Sequence, residues 1–424
     1  MTKINKTNIF LYFIFSISLF IGYYLHEDTA GHGQSVIDFN DTWPVISDPS
    51  KYYVIQPGYT VQTDFKFPLH YYISALIFKI VQDQEIFRLI FISISLFTPF
   101  IFFKCLSEKY KNLDSNNLFL LSLILFILPS FRTGVIWPNT QITALIFFLA
   151  SLFYFIKWEN KKSFKLISKD IIFSLIFISL AVYTRQLYAI IYLYYLFVIF
   201  LRCKFNYLIK ILLISILFSL PGLYIIFFKE VRSATLLFDL KFQNSLLINP
   251  SILAFYLIPF FSILLFNNIH FFRFDFKKDL TYLAIVFLVA AISLNYFNYN
   301  VKVGGGFFLK LSLILFENLY FFVLTTILGY MMIFKLCKEN IQNIVIFSLL
   351  ILVFTSKYIM MKYFEPMFII ILFILIKSKA PNDFLLKKKN IYLFFTYFFI
   401  YFISAYINDI FQITKNSIGV IRSF

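Results

Sequence analysis

Charge is scarce in this chain. Asp, Glu, Lys and Arg make up 14% of its 424 residues, against about 25% in a soluble chain. So little polar material cannot cover the wet surface that a soluble fold of this length exposes, which excludes that class. An intrinsically disordered chain, which needs low hydrophobicity, is excluded as well. Cysteine is rarer still: Cys105, Cys203 and Cys337 form no Cys-x-x-Cys pair and no metal spacing. They indicate neither a disulfide framework nor a thiolate metal site. The histidines His26, His32, His70 and His270 make no ligand cluster. No Gly-Lys-Ser/Thr follows Gly304-Gly305-Gly306, so that run is not a phosphate loop; a flexible lid is the functional alternative. The alternating segments of about ten residues that mark a β-barrel are absent, and no internal repeat or low-complexity linker is visible.

Apolar residues fill the space left by these absences. They are 60% of the chain, mean hydropathy is +0.81, and the apolar runs are continuous. A membrane helix needs about 20 such residues, so the chain holds enough for roughly a dozen spans. The fold class expected is all-α, a polytopic integral membrane protein. The aromatic share of 22% accompanies much Ile, Lys and Asn and is mainly compositional bias. The net charge of +17 fits lysines at cytoplasmic helix ends, with no nucleic-acid partner.

The first segment, 8–25, follows Lys3 and Lys6 and lacks a small-residue cleavage site. It is expected to be a true first span rather than a signal peptide. The next apolar segment, 68–81, has 14 residues, which reach only about 21 Å of a core roughly 30 Å thick. Charge asymmetry decides its place. If 68–81 stays on the outer side as an interfacial helix, the cytoplasmic segments hold 23 Lys and Arg and the outer side 15. If it spans, the split reverses. The positive-inside rule selects the first arrangement. It predicts about 13 spans: 8–25, 86–104, 117–135, 140–157, 169–184, 187–202, 209–228, 251–266, 280–297, 317–335, 342–356, 363–377 and 391–408. The whole, 1–424, is expected to be one membrane domain, with an outer loop over 26–85, the remaining spans over 86–408 and an outer tail over 409–424. All three cysteines then lie at the cytoplasmic face, where no structural disulfide is expected.

The outer loop is where polar residues gather. It opens on His26-Glu27-Asp28 and carries Asp38, Asp41, Asp48 and Asp64 as well. Adjacent carboxylates at the mouth of a membrane helix are costly unless they face water or a partner. Glu27 or Asp28 can serve as a general base, taking a proton from an attacking hydroxyl. The plainer alternative is a solvated helix end, with Asp28 capping a helix through 29–39. The loop ends on Asp64-Phe65-Lys66-Phe67-Pro68-Leu69, with proline at a favoured first helical position. Lys66 is placed to bind a lipid phosphate as a point charge, or simply to snorkel. His32 and Asp64 are further assisting candidates. Trp43 and Trp137 can stack on sugar or anchor the chain at the interface.

An acidic residue after the first span, a long outer loop and a Lys-x-Pro-Leu helix together resemble the GT-C glycosyltransferase superfamily. Its loop signature is commonly Asp-Glu or a variant; here the order is Glu27-Asp28. Its Lys/His-Pro-Pro-Leu signature is present as Lys66-Phe67-Pro68-Leu69, with one proline lost. Residues 126–157, 180–192 (LAVYTRQLYAIIY) and 362–372 (KYFEPMFIIIL) are similar, in order, to later parts of that superfamily. Arg185-Gln186 is similar to the Arg-Gln of the endoplasmic-reticulum α-1,2-glucosyltransferase family. That family's Asp-Glu-x-x-His start survives only as Asp28-x-x-x-His32.

The resemblance implies a GT-C-like helical bundle. It implies transfer of a hexose, with inversion, from a polyprenyl-phosphate sugar donor to a lipid-linked or cell-surface glycan acceptor on the outer face. Asp28 or Glu27 is then the base, while Lys66, Arg185 and Lys362 bind the donor phosphate. Arg185 suits that role through its planar fork, or else neutralises a carboxylate of the first loop. Lys362 can instead pair with Glu365 on a helix surface, and Lys357 is a weaker phosphate candidate. The resemblance fixes no cofactor, and a carboxylate-rich loop is able to hold a divalent metal. Two alternatives remain open at this point: a polysaccharide polymerase or ligase of another membrane fold, and a glycolipid flippase or transporter. The expected location is multi-pass in the bacterial inner membrane rather than the endoplasmic reticulum. Asn40-Asp41-Thr42 matches a glycosylation sequon that matters only in a eukaryotic lumen.

Overall fold

The computed structural model describes residues 4–31, 33–50, 67–161, 168–228, 242–267, 276–301, 304–353 and 359–411. Among them every regular element is a helix. The protein is an all-α membrane protein: seven described helices are long and apolar enough to cross a bilayer, or eight if one bent pair counts as a single span. Five more apolar helices, of 10–17 residues, fall short of that length. The chain divides into two compact units, Met1–Phe238 and Asp239–Phe424.

The first unit starts with α1 (Lys6–Tyr24), whose Phe10, Phe13 and Ile17 are exposed. Such a face suits lipid. α2 (Gln34–Ser47) and α3 (Leu69–Phe78) belong to the first loop and pack on each other. Ten residues of α3 rise only about 15 Å, so α3 does not span. It occupies the middle of the expected interfacial segment 68–81. α4 (Gln84–Ser95) and α5 (Thr98–Lys109) together form one apolar stretch of spanning length. α6 (Ser115–Ser122), a 3₁₀ turn over Leu123–Ile127 and α7 (Pro129–Ile136) follow. Beyond them come α8 (Thr140–Glu159), α9 (Lys169–Thr184), α10 (Ala189–Arg202) and α11 (Phe205–Phe228).

One expected span is corrected here. Residues 117–135 do not form a single rod: the chain bends by 64° between the halves ending at Ile127 and starting at Pro129. Pro129 is the cause. It has no N–H to donate and pushes the residue before it out of the helical region. Leu128 is accordingly extended, at φ −82° and ψ 121°. The break also strands a carbonyl. In 3₁₀ geometry the donor for Phe126 O belongs to residue 129, which is the proline.

The second unit is built on the helix Phe242–Asn267, against which Gly306–Phe316, Tyr320–Cys337 and Lys388–Phe411 pack. The expected span 363–377 is also corrected. Its helix is Met367–Ile374, eight residues, all buried. Eight residues rise about 12 Å, so this is a core helix within the unit. In the expected span 342–356 the described helix is Ile341–Leu352, and residues 354–356 lie outside the described residues. Asp279, fully buried, is held by Lys335 at 2.7 Å and by Lys338. The run Gly304–Gly306 has φ of +81° to +84°, which glycine alone adopts readily. The Gly305 N–H donates to Ile359 O at 2.7 Å. All three cysteines are free thiols.

Candidate functional site

The site grows out of the end of α1. Glu27 N–H donates to Gly22 O at 2.9 Å and His26 N–H to Tyr23 O at 3.1 Å. With His26 at φ +54°, this is a Schellman close, and histidine stands where glycine is usual. The turn swings Glu27 and Asp28 off the helix and into the protein. Both are buried, at 3% and 2% exposure.

Glu27 meets Arg132 of α7. Arg132 Nε donates to Glu27 Oε1 at 2.7 Å and Nη2 to Oε2 at 2.6 Å. The remaining donors go to Ser18 Oγ at 2.9 Å, Ser18 O at 3.0 Å and the stranded Phe126 O at 3.1 Å. All five N–H groups of the guanidinium are therefore used. Thr29 Oγ1 also donates to Glu27 Oε1, at 3.3 Å. The helix break and the ion pair explain each other: Pro129 leaves a carbonyl without a donor, and the arginine three residues on supplies one.

Three further bonds dock the turn on α7. Trp137 Nε1 donates to Glu27 O at 3.0 Å, Ala30 N–H to Thr133 Oγ1 at 3.0 Å, and the His26 ring stacks on Trp137 at 5.9 Å. Trp137 is 5% exposed, so it is an internal tie and not the interface anchor or open sugar platform expected. Trp43 is half-buried and meets Phe78 and Phe87 edge-on.

Gly22 leaves the ion pair no spare room. A Cβ there lies 2.5 Å from Glu27 Oε2 and 3.1 Å from Arg132 Nη2. Gly22→Ala is expected to destabilise the unit by about 1–3 kcal/mol through overpacking, seen as a lower melting temperature of the detergent-solubilised protein.

Asp28 is placed differently from Glu27. Its Oδ2 accepts the Ser35 N–H at 2.9 Å, in the first turn of α2, where a negative charge is favoured by the helix dipole. Capping of a following helix is thus realised, although that helix starts at Gln34 and not near residue 29.

A second polar group lies where α3, α8 and the α9–α10 turn meet. Arg185 Nη1 donates to Gln141 Oε1 at 3.2 Å. His70 Nδ1 and Thr143 Oγ1 are 2.9 Å apart. The Phe67 ring packs on Tyr183. Burial, and secondarily Asp38, holds the Tyr71 hydroxyl well above the usual phenol range, so it stays neutral.

Among the sequence-predicted residues, Glu27, Asp28 and Arg185 fall in the first unit. Lys362 falls in the second, half-buried on the short helix Met361–Phe364. Its suggested partner Glu365 is buried at 1% exposure, not on a helix surface. Lys66, His32, Asp64 and Lys357 lie outside the described residues. Arg132 and Arg88 are the members that sequence reasoning missed. A signal existed: each is a charge within an apolar run, which is expensive and so marks a buried partner. Among the described residues no group of three or more His, Cys, Asp and Glu is arranged to hold a metal ion. Set against known protein families, characterised proteins and solved structures, the chain matches none.

Proposed function

We propose that this protein is an inverting membrane glycosyltransferase that moves a hexose from a polyprenyl-phosphate donor to a lipid-linked or cell-surface glycan acceptor. The observation that carries the proposal is the division between the two carboxylates. Glu27 has both oxygens taken by Arg132, which leaves it unsuited to accept a proton. Asp28 sits one residue on, at the start of α2, held through Oδ2 by a backbone N–H. Asp28 is therefore assigned as the base and Glu27 as its anchor. In an inverting displacement the acceptor oxygen attacks the anomeric carbon, its proton passes to Asp28, and the lipid phosphate leaves. Burial of Asp28 keeps water from competing as acceptor.

Arg185 is assigned to the departing phosphate, where a planar guanidinium offers paired donors. Lys66 and Lys362 are retained as phosphate-binding assignments from the resemblance alone. The short helices α2 and α3 of the first loop, too short to span, support an interfacial site of the kind a lipid-borne donor requires. A bacterial inner-membrane location belongs to this proposal as well.

A specific observation favours a second reading. A helix broken at Pro129 with a buried Arg132 just beyond it is the type of element transporters use at a substrate site. Mass spectrometry of lipid-linked glycans separates the two. Cells lacking this protein are expected to accumulate a glycan short by one hexose. An unchanged set of masses with glycan stranded on the inner leaflet favours the flippase.

A further inference from the structure

We infer that Arg88 is a positioning residue for the Glu27–Asp28 turn and that it acts through Trp137. The inference rests on the assignment of Asp28 as base. Arg88 belongs to α4 and touches neither carboxylate, yet it is 1% exposed. A charge so deeply placed in a membrane protein needs strong compensation. It finds this on four sides. Its guanidinium carbon lies 3.7 Å from the centre of the Trp137 ring and 4.6 Å from that of Tyr23. Nε donates to Ile136 O at 3.0 Å. Nη1 donates to both oxygens of Glu85, at 3.1 and 3.0 Å. Tyr23 Oη closes the ring by donating to Glu85 Oε2 at 2.5 Å.

The consequence falls on the peptide between Ile136 and Trp137. Arg88 bonds the carbonyl on one side and stacks on the indole on the other, so the indole plane is fixed. That plane aims the Trp137 N–H at Glu27 O and offers its face to His26. Hence the cation of α4 sets the direction from which the residue before Asp28 is held. Tyr23 is the third residue before His26, whose φ is positive, so the same guanidinium grips the turn from both ends. Among the described residues Nη2 is buried without a hydrogen-bond partner. The stack and the Nε and Nη1 bonds therefore set the position of the guanidinium.

Lysine cannot reproduce this arrangement, because it lacks a planar group to lie between two rings. Three variants test the inference by hydrogen exchange in lipid nanodiscs: Arg88→Met, Arg88→Lys and Trp137→Phe. The amides of residues 26–31 are expected to exchange at least about ten-fold faster in each. The Arg88→Met/Trp137→Phe double variant is expected to be no worse than either single, since both act along one path. Steady-state transfer by Arg88→Met is expected to show kcat at least about ten-fold lower with donor KM within about two-fold, and Arg88→Lys is expected to restore only part of it. Unchanged exchange over 26–31 overturns the inference. So does uniform loss of protection across residues 4–228, or full rescue by lysine. If the wild-type protein transfers no sugar, the proposed function fails, while the exchange result still decides whether Arg88 holds the turn.

Discussion

Asp28→Asn is expected to lower sugar transfer by about 10²–10⁴-fold, the usual contribution of a positioned general base, with little loss of stability. The two effects separate because Asp28 has two roles. Its Oδ2 accepts the Ser35 N–H at the start of α2, and an asparagine carbonyl oxygen accepts that bond nearly as well. The favourable charge at the helix N-terminus is lost, worth about 0.3–1 kcal/mol. Asparagine cannot take a proton from the acceptor hydroxyl, so the chemical step slows while the turn stays closed. Asp28→Ala loses both roles and is expected to cost an additional 0.5–2 kcal/mol, roughly, for the missing cap. The check is transfer rate per folded molecule, with the melting temperature of each variant measured beside it. Equal transfer by wild type and Asp28→Asn removes the base from the mechanism.

Arg132→Ala is expected to destabilise the first unit by about 3–5 kcal/mol, the range for removing one partner of a buried ion pair. The substitution leaves Glu27 charged at 3% exposure and takes the donors from Ser18 O and Phe126 O as well. Glu27→Met alone is expected to be comparably harmful, since it strands the guanidinium. The double variant Glu27→Met/Arg132→Met removes both charges and is expected to recover a large part of the loss, as apolar replacements of buried pairs do elsewhere. Unfolding in detergent micelles measures all four corners of that cycle. Additive losses contradict a direct pairing.

These two variants also mark how far the sequence could be read. Scarcity of charge and continuous apolar runs are enough for the all-α membrane class, and the asymmetry of Lys and Arg, with the shortness of the segment, keeps 68–81 out of the spanning set. The carboxylates at the end of α1 stand out because no other two acids in the sequence are adjacent. What escaped was everything decided by packing. An apolar residue facing lipid and one buried in protein look alike in composition, so Met367–Ile374, buried along its whole length, was expected to be part of a span. Residues 117–135 read as one apolar span although Pro129 interrupts them; a proline inside an apolar run, followed by an arginine, signals a break with a buried charge beside it. The partner of Arg132 is not legible, because pairing with Glu27 joins residues 105 apart in sequence, and no local pattern announces that. For the same reason the two carboxylates looked interchangeable. Only their partners, a guanidinium for one and a helix N-terminus for the other, tell them apart.

The central claim is that Asp28 takes the acceptor's proton during hexose transfer. It is tested most directly in cells whose own copy has been deleted, by returning either the wild-type chain or Asp28→Asn at matched membrane levels and weighing the lipid-linked glycans. Restoration of the one-hexose mass by the wild-type chain and not by Asp28→Asn is the predicted result. Full restoration by Asp28→Asn contradicts it.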